Sequence, residues 1–333
     1  MNGENARPRR IWLHVVLFIV TFATTTIAGA WQNGVDILSL DPREIASGLP
    51  FSCTLMTILL AHEMGHYLMS RRYRVEATLP FFIPGPSIIG TFGAVIKMQS
   101  RMPDRKSLFD IGAAGPIAGL ILSVPAVIVG LKLSTVVPVS KEGVGLGDSL
   151  LFKFLGLLTW GNLPDGSDIL LHPIAFAGWV GLFVTALNLL PAGQLDGGHV
   201  SYALFGRRHV RVSQLTVIGL LLFGIRGWFG WILWAFLILL LIGVRHPPPV
   251  DPDTPLDAKR KLLGWLMLAT FVVTFIPDPF PVQEAEMHEE LPPPEGREGL
   301  QRTNKREDRD ERATKLAPVL SHDHARRGRA LHL

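Results

Sequence analysis

The chain has 333 residues, of which 48% are hydrophobic and only 18% carry a charge. So apolar a composition excludes an ordinary soluble domain and is typical of a protein that crosses a membrane several times. The formal net charge of +4 comes from short basic segments between long uncharged ones, so it reflects topology and does not indicate nucleic-acid binding. The single cysteine, Cys53, has no partner for an internal disulfide.

Long apolar segments recur along the whole chain. The first follows three arginines within the first ten residues, and its length of about twenty residues favours a retained span over a cleaved signal peptide. The run 212–244 fits one tilted helix or two short ones broken at Arg226 and Gly227, and we prefer two because both flanking basic segments then lie on one side. The predicted membrane segments are 11–31, 48–67, 109–131, 169–190, 212–244 and 262–276.

The segment His62-Glu63-Met64-Gly65-His66 places ionisable side chains near the end of an uncharged apolar helix. An ionisable group at bilayer depth costs about 2.5 to 3.5 kcal/mol, so these side chains need a common partner. On a helix, His62 and His66 lie one turn apart on one face and can bind the same divalent cation, with Glu63 beside them to handle a proton. The pattern is the H-E-x-x-H of zinc-dependent peptidases. It predicts that His62 and His66 are zinc ligands and that Glu63 is catalytic.

The segment 75–110 is neither a membrane helix nor an ordinary polar loop. Prolines between residues 80 and 86 forbid a continuous helix, and the stretch 90–98 has strand character. Extended backbone at membrane depth must be covered by protein or a water-filled cavity, so we expect a re-entrant hairpin beside the metal helix. Its free edge would bind an extended peptide, with Gly90, Phe92 and Gly93 as substrate-binding residues. An amphipathic hairpin on the membrane surface is the alternative.

A second polar stretch, 188–199, follows the fourth apolar segment and reads Asn-Leu-Leu-Pro-Ala-Gly-Gln-Leu-Asp-Gly-Gly-His. Its proline and glycines predict an unwound or broken helix. A catalytic zinc site uses three protein ligands and a water molecule, and the two histidines supply only two. Asp196 is therefore predicted to be the third ligand of a single Zn²⁺ ion. A lone Asp between glycines is otherwise a common turn residue.

These segments together predict an all-α polytopic membrane protein. Six to seven transmembrane helices are expected, with a re-entrant β-hairpin or loop after the H-E-x-x-H helix. By the positive-inside rule the metal site lies toward the cytoplasmic side of a membrane, which is most simply that of a prokaryotic cell. The tail is Pro-rich and then highly charged, so we expect disorder there. The predicted regions are 1–47 (first span and outer loop), 48–206 (membrane core with both polar motifs), 207–277 (C-terminal helices) and 278–333 (tail).

Three motifs in order resemble the site-2 proteases, a family of intramembrane zinc metalloproteases, in their short bacterial form. They are His62-Glu63-x-x-His66, Gly115-Pro116-x-x-Gly119, and Asn188-x-x-Pro191 with Leu195-Asp196-Gly197-Gly198. The resemblance implies that His62, His66 and Asp196 bind zinc, that Glu63 is the general base and that Asn188 lies near the scissile peptide. It also implies a re-entrant strand. No segment between spans has the length of the PDZ domain that many members contain.

The function that these features predict is hydrolysis of peptide bonds within or near the transmembrane helices of single-span membrane proteins. By resemblance, substrates would be proteins such as anti-sigma factors or remnant signal peptides, held in the lipid bilayer. Two alternatives remain at this stage. A catalytically silent substrate-binding relative would normally have lost Glu63 or a ligand. A metal-ion transporter would need further ionisable residues along its path, and here His172 is the main one.

Overall fold

A computed structural model describes residues 11–36, 41–138 and 145–281. Most of the described chain is helical. The helices are α1 (Ile11–Gln32), α2 (Pro42–Ile45), α3 (Leu49–Arg72), α4 (Arg105–Leu133), α5 (Leu150–Trp160), α6 (Pro173–Asn188), α7 (Asp196–Phe205), α8 (His209–Arg226), α9 (Gly230–Leu237) and α10 (Ala258–Thr274). The basic N-terminus falls on residues 1–10, outside the described part. The tail predicted to be disordered, 278–333, lies outside it from residue 282 onward. Its first four residues contradict that prediction, because Phe280 packs against Trp179 and the carbonyl of Pro279 accepts a hydrogen bond from the N–H of Gly147 at 3.0 Å.

Four short strands form two antiparallel pairs. The strands are β1 (Phe81–Pro84), β2 (Thr91–Val95), β3 (Thr135–Pro138) and β4 (Ser167–Leu170). The hairpin of β1 and β2 continues beyond the strands through a bridge between Ala77 and Met98. An extended segment is thus present where the sequence predicted strand character, directly after α3.

Four helical stretches are long and apolar enough to cross a membrane: Ile11–Gln32, Pro42–Arg72, Arg105–Leu133 and Asp196–Arg226. Large apolar side chains such as Ile11, Trp12 and Ile19 are more than half exposed on α1. Apolar side chains that face outward along a whole helix indicate contact with lipid. The described chain is therefore a mostly helical membrane protein with little sheet.

The predicted span 169–190 is wrong at its N-terminal end. Residues up to Leu170 belong to β4, which pairs with β3, and α6 begins only at Pro173. Proline favours the first turn of a helix, and His172 caps it by accepting a hydrogen bond from the N–H of Ile174. The resulting helix has 16 residues. By contrast, the expected break in 212–244 is present, since α8 ends at Arg226 and α9 begins at Gly230.

Helix α4 lies at the centre and packs against α3, α6 and α7. Glycines of the neighbouring helices make this approach possible. A side chain at Gly178 of α6 would overlap the backbone of α4 near Val127, and one at Gly65 of α3 would overlap the backbone of α4 at Ala114. Small residues at a contact let two helix backbones come close. This close packing brings α3 and α7 together at one end of α4.

The chain between α6 and α7 is unwound, as the proline and glycines of this stretch predicted. Gly193 has φ of +52°, a conformation that glycine adopts without strain. A side chain at Gly197 would overlap the carbonyl group of Leu189, so the stretch folds tightly back on itself. The turn ends where α7 begins at Asp196, which places this carboxylate at the start of a new helix.

Candidate metal centre

Two histidines of α3 and one aspartate of α7 meet in the interior. His62 and His66 are 4% and 6% exposed, and the side chain of Asp196 is 16% exposed. The Nε2 atoms of the two histidines lie 3.2 Å apart, and each lies 3.2 Å from Oδ2 of Asp196. Three ligand atoms from residues up to 134 positions apart thus form a nearly equilateral triangle.

The hydrogen bonding of His66 determines which of its nitrogens can bind a cation. Its Nδ1 lies 2.7 Å from the carbonyl oxygen of Ile111, and a carbonyl only accepts, so Nδ1 carries the proton and donates. Nε2 of a neutral His66 then has a free lone pair directed at the triangle. An imidazole lone pair beside a carboxylate oxygen is unfavourable unless a cation or a proton lies between them.

The size of the triangle fits a metal ion. A tetrahedral ion with bonds of about 2.0 to 2.1 Å separates its ligand atoms by about 3.3 Å, close to the 3.2 Å found here. The donor set of two imidazoles and one carboxylate is that of a catalytic zinc site with an open fourth position. His62, His66 and Asp196 are therefore positioned to bind one metal ion.

Glu63 and Asn188 lie beside the triangle. Glu63 is 7% exposed, and the backbone N–H of Ile96, just after β2, interacts with its carboxylate. Nδ2 of Asn188, at the end of α6, lies 3.2 Å from Nε2 of His62. The structure thus brings together all five residues that the sequence singled out for metal binding and chemistry.

A cavity of about 650 Å³ contains this group. One wall is the continuous segment Ala94–Met102, which follows β2. On the far side are three consecutive prolines, Pro247–Pro249. The two walls are joined at one end, where the N–H groups of Val250 and Asp251 donate to the carbonyl groups of Met102 and Pro103 at 2.9 and 2.8 Å.

Glycines of α4 shape the floor of the site. A side chain at Gly115 would overlap the imidazole of His66, and one at Gly119 would crowd Nδ1 of His62. One turn earlier, a side chain at Gly112 would overlap Cβ of His199. Residues 112, 115 and 119 share one face of a helix. Each of these glycines therefore makes room for one histidine.

The three residues predicted to bind substrate lie apart from this group. Gly90 has φ of +75° and packs against α1, where its carbonyl accepts a hydrogen bond from Oγ1 of Thr24 at 2.7 Å. Phe92 is 67% exposed. Gly90, Phe92 and Gly93 belong to the hairpin but not to the cavity wall, which begins one residue later at Ala94. Their role stays a prediction.

Two features of the cavity were not assigned from the sequence: His199 and the three prolines. His199 is the last residue of the second polar stretch and lies three residues after Asp196, a spacing that places both on one side of α7. That spacing could have identified His199 from the sequence as a neighbour of the metal site. The prolines come from a distant loop, and no local pattern connects them with the site.

A polar cluster ties α10 to the end of α3 that bears the site. Arg260 donates to both carboxylate oxygens of Asp110 at 2.9 and 2.6 Å and to the hydroxyl of Tyr73 at 3.2 Å. Tyr73 in turn donates to Asp110. Burial and the neighbouring Asp110 raise the pKa of Tyr73 above its usual range. Hydrogen bonds to Asp110 hold the pKa of Arg260 above its usual range.

Comparison with known proteins agrees with this geometry. The model of peptidase family M50 matches residues 50–225, which include α3, α4, α6, α7 and most of α8. The chain is 33% identical to a protein of Arabidopsis thaliana named "Probable zinc metalloprotease EGY1, chloroplastic", over 70% of this chain and 43% of that protein. It is 32% identical to Arabidopsis thaliana EGY2, which has the same kind of name, over 74% of this chain and 45% of that protein.

The chain spans less than half the length of these curated relatives. No solved structure matches it. The family match covers both metal-ligand motifs and the helices that bring them together. The site-2 protease resemblance of the sequence is thus confirmed, and the chain belongs to peptidase family M50.

Proposed function

We propose that the protein is a membrane-embedded zinc metalloendopeptidase that hydrolyses peptide bonds within or near transmembrane helices of single-span membrane proteins. One observation carries the proposal: the Nε2 atoms of His62 and His66 and Oδ2 of Asp196 form a triangle with 3.2 Å sides, with Glu63 beside it in the same cavity. The names of the EGY relatives support zinc as the metal. A catalytically silent relative would normally lack Glu63 or a ligand, and this chain has all four.

His62, His66 and Asp196 would hold the zinc ion, which when bound polarises the peptide carbonyl and makes water more acidic. Glu63 accepts a proton from the attacking water and passes it to the amide nitrogen as the carbon–nitrogen bond breaks. The water oxygen becomes part of the new carboxylate. Nδ2 of Asn188 would donate a hydrogen bond to the carbonyl oxygen as negative charge develops on it; its position 3.2 Å from Nε2 of His62 supports this role.

The β1–β2 hairpin is proposed to be re-entrant, because it contacts α1 along nearly the whole helix. Nδ1 of His14 lies 3.0 Å from the carbonyl of Pro80, and Nε2 of Gln32 donates to the carbonyl of Ile88 at 2.7 Å. These contacts are 18 residues apart on α1, or about 27 Å along a helix. If α1 crosses the membrane, the hairpin lies at the same depth.

The hairpin offers a way to hold an unwound substrate. One edge of the 94–98 segment is used by the bridge to Ala77 and by the hydrogen bond from the N–H of Thr78 to the carbonyl of Lys97. Residues 94–102 also line the cavity, so their other edge is available to an extended peptide. A substrate helix must open its own hydrogen bonds before its carbonyl groups can react, and pairing with this edge would replace them. Substrates such as anti-sigma factors or remnant signal peptides are consistent with this requirement.

We place the site toward the side of the membrane that bears the basic segments. Basic residues stand at the end of α3, in the Arg207–Arg208 turn after α7 and at the start of α10. In a prokaryotic cytoplasmic membrane this side would be the cytoplasm. The names of the relatives place those proteins in chloroplasts.

The test uses purified protein in lipid nanodiscs, a tagged single-span substrate and measurement of bound zinc. Glu63→Gln should abolish cleavage and keep zinc bound, since the substitution removes the proton acceptor and no ligand. Glu76→Gln is the matched control, because Glu76 is exposed and lies outside the cavity. Cleavage by Glu63→Gln at the rate of the unmodified protein would refute the assignment of the base. Absence of any zinc-dependent cleavage by the unmodified protein would refute the peptidase itself.

A further inference from the structure

His199 lines the metal cavity but is not one of the three ligands. It lies in the first turn of α7, and its Nδ1 is 2.6 Å from Nε2 of His246. Nδ1 of His246 is in turn 2.6 Å from the carbonyl oxygen of Pro247. A chain of hydrogen bonds therefore runs from the proline wall of the cavity through His246 to His199.

This chain determines which atom of His199 carries the proton. The Pro247 carbonyl only accepts, so Nδ1 of His246 donates and Nε2 of a neutral His246 is an acceptor. Burial lowers the pKa of His246, which favours its neutral form. Nδ1 of His199 must then donate to His246, leaving Nε2 of His199 with a lone pair. Within the described part of the chain, no hydrogen bond reaches this Nε2.

The ring of His199 is also fixed in place. Gly112 provides the space for its Cβ, in the same row of glycines that accommodates His66 and His62. His246 is held against the ring of Tyr202, with the centroids 4.9 Å apart. A side chain held from both sides at a cavity wall, with one unused acceptor, is arranged to bind a donor.

We propose that Nε2 of His199 accepts a hydrogen bond from a backbone N–H of the substrate segment that lies in the cavity, and that His246 is a positioning residue for His199. The inference rests on the proposed peptidase function. Asn188 and the N–H of Ile96 are donors, so they suit carbonyl or carboxylate groups. An unwound peptide also presents N–H groups, and these need an acceptor. In this protonation state His199 cannot donate to a developing oxyanion, which distinguishes the role from that of Asn188.

The experiment pairs changes in the protein with changes in the substrate backbone. Synthetic single-span peptides of about 30 residues carry one ester in place of one amide, at each position around the cut in turn. An ester removes a single N–H. The full-length protein in nanodiscs is assayed with each peptide, both unmodified and with His199→Ala, and bound zinc is measured in parallel.

At one position the ester should lower kcat/KM of the unmodified protein by about three- to tenfold, the value of one hydrogen bond. With His199→Ala, kcat/KM for the all-amide peptide should fall by a similar factor, and the ester at that position should cause no further loss. Zinc content should be unchanged. Gln194→Ala changes a different residue of the cavity wall. In this variant the ester should still lower kcat/KM by the full factor.

If the ester lowers kcat/KM of His199→Ala by the same factor as it lowers that of the unmodified protein, at every position, the two losses are independent. This result would overturn the inference and leave the proposed peptidase function intact. Failure of the unmodified protein to cleave the all-amide peptide would overturn both. His199→Gln, whose side-chain carbonyl can still accept, provides a second variant should the alanine form fold poorly, and it should retain part of the ester penalty. His246→Gln should preserve kcat/KM by accepting from Nδ1 of His199, whereas His246→Phe should lower it. Equal rates for these two variants would remove His246 from the positioning role.

Discussion

Gly115 of α4 lies so close to His66 of α3 that a single methyl group on the glycine would overlap the imidazole. The same imidazole is held on its other side by the hydrogen bond from Nδ1 to the carbonyl of Ile111, also in α4. One helix therefore sets both the position and the protonation of a ligand that belongs to another helix. A change in α4 should alter metal binding although α4 supplies no ligand.

Gly115→Ala should weaken zinc binding by about ten- to a hundredfold, the range found when residues that support a ligand are changed. The measurement is a competition titration of purified protein against a chelator of known affinity. Gly219→Ala is the matched control, because a side chain at this glycine of α8 meets open space. Equal zinc affinity in the two variants would show that His66 does not depend on this contact.

Asp196→Ala should reduce bound zinc from about one ion per chain to a small fraction, since two ligands remain of the three that a catalytic site needs. Metal analysis after gel filtration gives the stoichiometry directly. Asp253→Ala removes an exposed carboxylate of a loop outside the cavity and should leave zinc content unchanged. Full zinc content in Asp196→Ala would remove this residue from the ligand set.

Arg260 and Asp110 join α10 to α4 through a two-pronged ion pair whose side chains are 28% and 17% exposed. Arg260→Ala or Asp110→Asn should each lower the free energy of unfolding by about 1 to 3 kcal/mol, as charged hydrogen bonds at partly buried sites do. The two together should cost less than the sum, because they break the same interaction. The free energy of unfolding of each variant is measured by unfolding in mixed detergent.

Lys259→Ala tests whether the effect is specific to the ion pair. Lys259 is the exposed neighbour of Arg260, and its removal changes the net charge by the same amount. It should alter stability by less than about 0.5 kcal/mol. Strictly additive losses for the Arg260 and Asp110 variants would contradict a direct coupling.

His246 makes the fold sensitive to acid. Burial lowers its pKa in the folded state below the ordinary value of 6.5, so the unfolded chain binds the proton more readily. The stability from neutral His246 is fully present above about pH 6.5 and is lost as the pH falls below it. His199 and His209 face His246 and add further groups that can take up protons.

Replacing His246 by Gln should therefore flatten the dependence of Tm on pH between about 7 and 5. The melting temperature of the variant at pH 5 should fall less from its value at pH 7 than that of the unmodified protein. His172→Gln changes a histidine that caps α6, away from the cavity, and should leave the slope as it is. An unaltered slope in His246→Gln would assign the acid sensitivity to other groups.

Local patterns in the sequence were sufficient to identify the three residues that are positioned to bind a metal ion, and the breaks in the helices. His62 and His66 share a helix face because of their spacing alone. Pro191 and Gly193 lie close together in a glycine-rich stretch, which disfavours a continuous helix. Helix ends were harder to predict. The N-terminal boundary of α6 depends on a cap at His172 and on the pairing of Ile169 with Val136, whereas an apolar run shows no such boundary.

The neighbours of the site depend on tertiary contacts, so the sequence did not identify them. His199 and His246 are 47 residues apart, and neither has a motif that indicates the other. Gly112, Gly115 and Gly119 are small residues at a spacing that favours close packing of helices. That each one faces a histidine follows only from the way α3 and α7 flank α4.

The hydrogen bonds from the N–H groups of Val250 and Asp251 to the carbonyl groups of Met102 and Pro103 form a barrier where the two cavity walls meet. An extended peptide that lies along Ala94–Met102 would reach this barrier after nine residues of the cavity wall, a distance of about 25 to 30 Å. The peptide must therefore change direction at this point, or these backbone hydrogen bonds must break. Unwinding of roughly two helical turns would fill this distance. Under the proposed function, most of a substrate's transmembrane helix could therefore stay helical during cleavage.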